Sequence, residues 1–85
     1  MKTLSRLGKM TVEMWRDMRP NMVEELEKKG MLEEIVYQVQ EKALDEIAEL
    51  IGRGVPEYMA RERVVEMLRL PSEEEHPGEV KFPFL

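Results

Sequence analysis

Residues 31–51 read MLEEIVYQVQEKALDEIAELI and contain neither glycine nor proline. Apolar side chains recur here at steps of three and four residues, which places them on one face of a helix. The members of this stripe are Leu32, Ile35, Val36, Val39, Ala43, Ile47, Leu50 and Ile51. At 1.5 Å per residue the stretch predicts one helix of roughly 30 Å, which ends at the glycine-containing turn 52–54.

A second helical stretch precedes the long helix and is interrupted by Pro20. Thr11 is the expected N-cap, and two lysines followed by Gly30 form a C-terminal signal. Pro20 either kinks one helix or starts a new one. The apolar stripe keeps its phase across Pro20, which favours one kinked or briefly broken helix. That stripe consists of Val12, Trp15, Met18, Met22 and Leu26.

A third helix is expected from residue 56 to about residue 70, with Ala60, Val64, Met67 and Leu68 as its buried face. The sequence therefore predicts an all-α fold: a small three-helix domain over residues 1–70, with a long central helix, a proline-kinked helix before it and a shorter helix after it. Residues 71–85 form an acidic tail. Residues 71–79 are expected to be a loop or disordered, and the tail ends in the apolar segment VKFPFL.

The composition excludes most catalytic chemistry. The 85 residues include no cysteine and one histidine, His76, which lies in the polar tail. Thiolate nucleophiles, hydrolytic triads and imidazole-based metal sites need residues that this chain lacks, so we expect no enzyme, no metal and no cofactor. The absence of cysteine, of a signal core and of a long apolar run predicts a soluble, cytoplasmic protein without a membrane span.

Charge is distributed unevenly around a formal net value of −5. The first 19 residues are basic, residues 20–54 hold nine acids against four bases, and residues 55–70 are balanced. An acidic body argues against general nucleic-acid binding, because phosphate contacts need clustered lysine and arginine. It favours a basic protein partner instead.

Four groups of residues are candidates for partner contact. Met10, Met14, Met18 and Met22 form a broad apolar surface with Trp15, which either fills the core or meets a partner. Trp15 is expected to stay partly exposed in so small a domain. Arg16 and Arg19 share a helix face and either grip an anion or pair with Glu13 and Asp17 in solvent.

The other two groups are acidic and aromatic. Glu34, Glu41 and Asp45 fall near one side of the long helix, as a solubilising surface or as an anionic strip for a basic partner. Phe82 and Phe84 flank a proline in the apolar tail segment. They either pack back on the domain, dock on another chain as an extended segment, or stay disordered.

One set of motifs resembles a known group. It covers residues 14–75 and comprises Trp15-Arg16, Arg19-Pro20-x-Met22-Val23, Leu26, Gly30-x-Leu32-Glu33-Glu34, Gln40-Glu41, Gly54-Val55-Pro56-Glu57-x-x-Ala60-Arg61-Glu62 and Leu70-Pro71-Ser72-Glu73-Glu74. These motifs are similar to small helical proteins of phages and mobile elements related to the transposon-encoded TnpV group. The resemblance implies origin more than activity and brings no catalytic residues.

Three functions follow as hypotheses. The first is a non-enzymatic protein-binding inhibitor or regulator of phage or mobile-element origin, which blocks a host nucleic-acid enzyme, as anti-CRISPR proteins do, through its acidic helix face. The second is a structural or assembly protein that self-associates, and a homodimer fits either hypothesis. The third is a nucleic-acid binder that uses Arg6, Lys9, Arg16 and Arg19.

Overall fold

The computed structural model of the protein describes residues 3–85 and contains four helices in that range, with no strand. They are α1 (Arg6–Met18), α2 (Pro20–Lys28), α3 (Leu32–Gly52) and α4 (Glu57–Leu68). The predicted all-α fold and the long central helix are confirmed. The predicted number of helices was too low by one, because the stretch around Pro20 divides into two helices.

The division between α1 and α2 is one residue wide. Arg19 has φ −139° and ψ 65°, outside the helical region, and Pro20 is the first residue of α2. The ring of a proline disfavours helical geometry in the residue before it, whereas a proline tolerates the first helical position because no N–H is needed there. The chain therefore contains a briefly broken helix, one of the two forms that the continuous stripe favours.

The start of α1 corrects the predicted N-cap. Ser5 occupies that position, and its hydroxyl accepts a hydrogen bond from the Gly8 amide at 3.4 Å. Thr11 lies inside the helix, where its buried hydroxyl donates to the carbonyl of Leu7 at 2.8 Å. Helix α1 thus extends into the basic end of the chain, of which residues 1 and 2 lie outside the described range.

Both glycine signals end helices as expected. After α2, Gly30 has a φ of 69°, and the amides of Gly30 and Met31 donate to Glu27 and Leu26. After α3, Gly54 has a φ of 95°, and the amides of Gly54 and Val55 donate to Ile51 and Leu50. This is the Schellman pattern, in which the amides of a left-handed residue and of the residue after it donate to the last helical carbonyls.

The core lies around α3, which packs against α1, α2 and α4. Val39 and Ile47 of the central stripe are buried as predicted, whereas Ile35 is half-buried at the edge of the core. The expectation for Met67 is wrong, since half of its surface is exposed. The buried residues of α4 are Ala60, Val64 and Leu68, and Met67 lies at one edge of this stripe, seven residues beyond Ala60.

Residues 71–85 form no helix but lie against the helices. Val80, Phe82 and Phe84 are partly buried on the hydrophobic core, so the apolar end of the tail packs back on its own domain. Within residues 3–85, no helix is long and apolar enough to cross a membrane.

Candidate partner-binding surface

Three carboxylates of α3 form a line on the outside of the molecule, which we call the acidic strip: Glu34, Glu41 and Asp45. All three are exposed. Steps of seven and four residues bring side chains back to within about 40° of one another around a helix. Gln38 lies on the same side and donates from its amide to the Glu34 carboxylate at 3.0 Å. The alignment predicted from the sequence is therefore present on the surface.

The negative charge of α3 is poorly balanced. The helix holds six carboxylates and one lysine, Lys42. Glu49 forms an ion pair with Arg53, just beyond the end of the helix. The other ion pairs within residues 3–85 join α1 to α2 or lie within α2 and around α4: Arg16–Glu27, Lys28–Glu24, Lys29–Glu25, Arg61–Glu57 and Arg69–Glu66. The α3 surface therefore carries more negative than positive charge.

Trp15 does not belong to the surface, and the expectation of partial exposure is wrong. Its side chain is fully buried. The indole nitrogen donates to the main-chain oxygen of Leu68 at 2.9 Å, and the Phe82 ring lies over the indole with 5.2 Å between centroids. The tail supplies the cover that the four helices alone do not provide. This contact leaves Phe82 partly buried.

Arg19 is also internal, which corrects its predicted place beside Arg16 on a solvent-facing surface. Only 3% of Arg19 is exposed. One terminal nitrogen of its guanidinium, Nη1, donates to the carbonyls of Pro71 at 2.8 Å and His76 at 2.9 Å, and the other, Nη2, donates to Gly78 at 2.5 Å. Its Nε has no partner within the described residues. Arg19 is thus a clamp for the tail rather than an anion-binding group on the surface.

Arg16 remains at the surface and forms an ion pair. Its guanidinium lies 2.7 Å from the Glu27 carboxylate, so it bridges α1 and α2 instead of pairing with Glu13 or Asp17. About half of each side chain is exposed, so the pair is screened by water and contributes less than about 1 kcal/mol to stability.

Glu73 has a role that the sequence analysis missed. Its carboxylate accepts hydrogen bonds from the amides of Met22 at 2.9 Å and Asn21 at 3.4 Å, in the first turn of α2. A carboxylate there satisfies amides that have no partner inside the helix and complements the positive helix end. No local pattern reveals this contact, since Glu73 lies about fifty residues beyond the helix that it caps.

Gln40 was missed as well. Only 2% of it is exposed, and its side-chain oxygen accepts from the amide of Ser5 at 2.8 Å and from the Ser5 hydroxyl at 3.2 Å. Its side-chain nitrogen donates to the carbonyl of Thr3 at 3.3 Å. Gln40 therefore fixes the start of α1 on α3 and is structural, although its neighbour Glu41 belongs to the acidic strip.

An open groove of about 700 Å³ lies between α2 and the tail. Its walls include the apolar Met22, Leu26 and Phe82 together with acidic and basic side chains. The groove therefore favours neither an anionic nor a cationic ligand. Within residues 3–85 no group of three or more acidic or histidine side chains is arranged to hold a metal ion. The acidic strip remains the exposed, like-charged surface among the candidates for partner contact.

Comparison of the chain with protein-family models, with curated proteins and with solved structures gives no significant match. The resemblance to TnpV-related proteins therefore stays a prediction.

Proposed function

We propose that the protein is a non-enzymatic regulator that binds a basic protein through the acidic strip of α3. The observation that carries the proposal is the charge of α3: six carboxylates against one lysine, with Glu34, Glu41 and Asp45 exposed in one line. A solubilising surface needs charge but not this imbalance, and α2 and α4 show the alternative, with acids and bases paired along the helix.

The rigidity of α3 suits such a surface. The helix is held by core contacts with the other three helices, and the strip lies on the side that they leave open. Glu34 and Asp45 are eleven residues apart, so the strip extends about 16 Å along the helix axis. Carboxylates that are already in position lose little conformational entropy on binding, and their shared sign steers a basic surface toward them.

The partner that fits this strip is a protein with a groove or patch rich in lysine and arginine. Proteins that bind nucleic acid carry such surfaces, because they neutralise phosphates. A helix that covers this patch would exclude the nucleic acid, which makes the protein an inhibitor. The phage or mobile-element origin that the motif resemblance implies would make the target a host nucleic-acid enzyme.

Direct binding of nucleic acid fits the molecule less well. Of the four basic residues that could serve it, Arg19 is buried and Arg16 is paired with Glu27. Arg6 and Lys9 remain exposed on the first turns of α1. On a protein with a net charge of −5, Arg6 and Lys9 by themselves give little attraction for a phosphate backbone.

The proposal is tested by reversing the charge of the strip. The variant Glu34→Lys/Glu41→Lys/Asp45→Lys and the control Glu13→Lys/Asp17→Lys/Glu74→Lys change the net charge equally, and the control acids are exposed outside α3. Each chain is used to capture proteins from a bacterial lysate, and each recovered protein is then tested for binding over a range of salt concentrations.

The expected result is a basic protein that wild type and control retain and the strip variant loses, with slower association as salt rises. Circular dichroism should show the same helicity for all three, because lysine is a good helix former at exposed positions. A partner that the strip variant retains as well as the control would reject the acidic strip as the binding surface.

A further inference from the structure

The tail is held against the helices in two different ways, and the change occurs after Gly78. Residues 71–78 are held by hydrogen bonds, because Arg19 donates to three of their carbonyls and the Glu73 amide donates to the last carbonyl of α1 at 3.1 Å. The Glu73 carboxylate also caps α2. We call residues 71–78 the anchored segment and residues 79–85 the flap.

The flap is held by side-chain packing alone. Within residues 3–85, its one main-chain hydrogen bond joins two of its own residues at 3.4 Å, and no hydrogen bond joins it to a helix. Val80, Phe82 and Phe84 are partly buried on the core. Apolar burial is non-directional, so these contacts can be lost together without breaking a hydrogen bond of the anchored segment.

Phe84 carries backbone strain when the flap is closed. Its φ is 67°, in the left-handed region, where the Cβ of an L-residue is crowded against the main chain. This strain lowers the closed population by roughly 5- to 30-fold relative to an unstrained segment. An open flap is released from this conformation, so the strain favours opening.

The surroundings of the flap leave space for movement. Val80 and Phe82 line the groove of about 700 Å³ that separates the tail from α2, and Met22 and Leu26 line its other side. The flap therefore does not fill the space beside it. Gly78 lies where the flap begins, and nothing lies within 4 Å of a Cβ built at this position. A residue without a side chain in open space is suited to be a hinge.

We propose that the flap is a gate: residues 79–85 open about Gly78 while the anchored segment stays in place, and this opening uncovers Trp15. The Phe82 ring lies over the indole, with 5.2 Å between centroids. When that ring leaves, the face of the indole becomes accessible. The hydrogen bond from the indole to Leu68 and the Arg19 clamp involve no residue of the flap, so the open state keeps the helices folded.

The gate does not depend on the proposed function, because it shares no residue with the acidic strip of α3. Limited proteolysis of the full chain tests it. Trypsin cuts after lysine and arginine, and Lys81 is the only such residue in the tail. A cut after Lys81 requires an open flap, whereas a cut after Arg69 requires Leu70, which is 4% exposed, to leave the core. Mass spectrometry of the products identifies the bond that is cut.

At a low trypsin concentration the cutting rate follows the population of the open state. We expect wild type to be cut after Lys81 about tenfold to a thousandfold more slowly than a synthetic peptide of residues 79–85, because local opening is far easier than global unfolding. This rate should hardly change in urea below the unfolding transition, since the opening exposes little surface. The cut after Arg69 should rise steeply with urea.

Two results would overturn the flap as an independent gate. If the cuts after Lys81 and Arg69 rise together with urea, the flap opens only when the chain unfolds. If wild type is cut after Lys81 as fast as the free peptide, the flap is not closed.

The product of the first cut tests what the gate covers. Loss of residues 82–85 removes Phe82 and leaves the anchored segment in place. The remaining chain should keep its circular dichroism, and the emission of Trp15, its single tryptophan, should become more strongly quenched by acrylamide. A product that unfolds, or one in which Trp15 stays as protected as in the uncut chain, would overturn the proposal.

Discussion

The indole nitrogen of Trp15 donates a hydrogen bond to the main-chain oxygen of Leu68, 2.9 Å away and 53 residues later in the chain. Leu68 is the last residue of α4, where helical carbonyls have no partner inside the helix. A side chain of α1 thus completes the end of α4. Because the indole is fully buried, water cannot replace this bond if it is lost.

Trp15→Phe should separate the hydrogen bond from the packing of the ring. The substitution keeps an aromatic side chain but leaves the Leu68 carbonyl without its donor, at a cost of about 1–3 kcal/mol in the free energy of unfolding. Trp15→Ala also opens a cavity and should cost about 3–5 kcal/mol. Urea unfolding followed by circular dichroism measures both. Equal stability of Trp15→Phe and wild type would show that the bond contributes nothing.

Arg19→Met should release the tail from the helices. Methionine keeps an unbranched chain but removes the donors to the carbonyls of Pro71, His76 and Gly78. Hydrogen bonds from a charged group contribute about 1.5–3 kcal/mol, so we expect a loss of at least about 2 kcal/mol.

The release can be observed with Trp15, the single tryptophan of the chain, because Phe82 of the tail covers its ring. Its emission should move to longer wavelength in Arg19→Met as the indole meets water. Arg16→Met is the control, because Arg16 is exposed and its guanidinium pairs with Glu27 of α2 rather than with the tail. A native emission maximum in Arg19→Met would refute the clamp.

Gly8→Ala should destabilise the protein although alanine is the better helix former. A Cβ at this position would lie 2.0 Å from the side-chain oxygen of Gln40, which is held by Ser5. Overpacking of this kind costs about 1–3 kcal/mol, more than the roughly 1 kcal/mol gained in helix propensity. Gly52→Ala is the matched control, because nothing lies within 4 Å of its Cβ and it should stabilise slightly. Thermal unfolding that ranks the two variants in the reverse order would contradict the contact between α1 and α3.

Pro20→Ala should change stability by less than about 1 kcal/mol. Pro20 is exposed and begins α2, a position where a missing N–H costs nothing. If Pro20 instead interrupted one continuous helix, its removal would recover up to about 3 kcal/mol and raise helicity. Circular dichroism and thermal unfolding of this variant distinguish the two cases, and a large gain in both would show that Arg19 is forced out of helical geometry by the proline alone.

Local periodicity predicted most of the helical frame and almost none of the contacts between distant parts. Helix α3 was placed to within one residue at each end, because its apolar stripe and its terminal glycine turn are features of neighbouring residues. The exposure of Glu34, Glu41 and Asp45 follows from the same stripe. Thr11 and Ser5 illustrate the limit of local signals, since either hydroxyl can cap a helix and only the contact of Ser5 with Gln40 decides between them.

Arg19 and Trp15 were misplaced for a different reason. Arginine is rarely buried and a large indole is rarely buried completely, so both expectations followed the behaviour of their residue types. Both side chains are buried because of the tail. Its carbonyls accept hydrogen bonds from the Arg19 guanidinium, and its Phe82 ring covers the Trp15 indole. Residues 71–79 are polar and rich in turn formers, and their composition alone predicts a segment that is free in solvent rather than one that completes the core.

The clamp at Arg19 also sets an order of events during protein synthesis. The carbonyls that receive its guanidinium lie 52, 57 and 59 residues further along the chain. While the ribosome is still adding those residues, α1 and α2 can form as local helices, but the junction between them cannot close over an unsolvated cation. We therefore expect the nascent chain to keep this corner hydrated until residue 78 has emerged, with docking of the tail as the last step of folding.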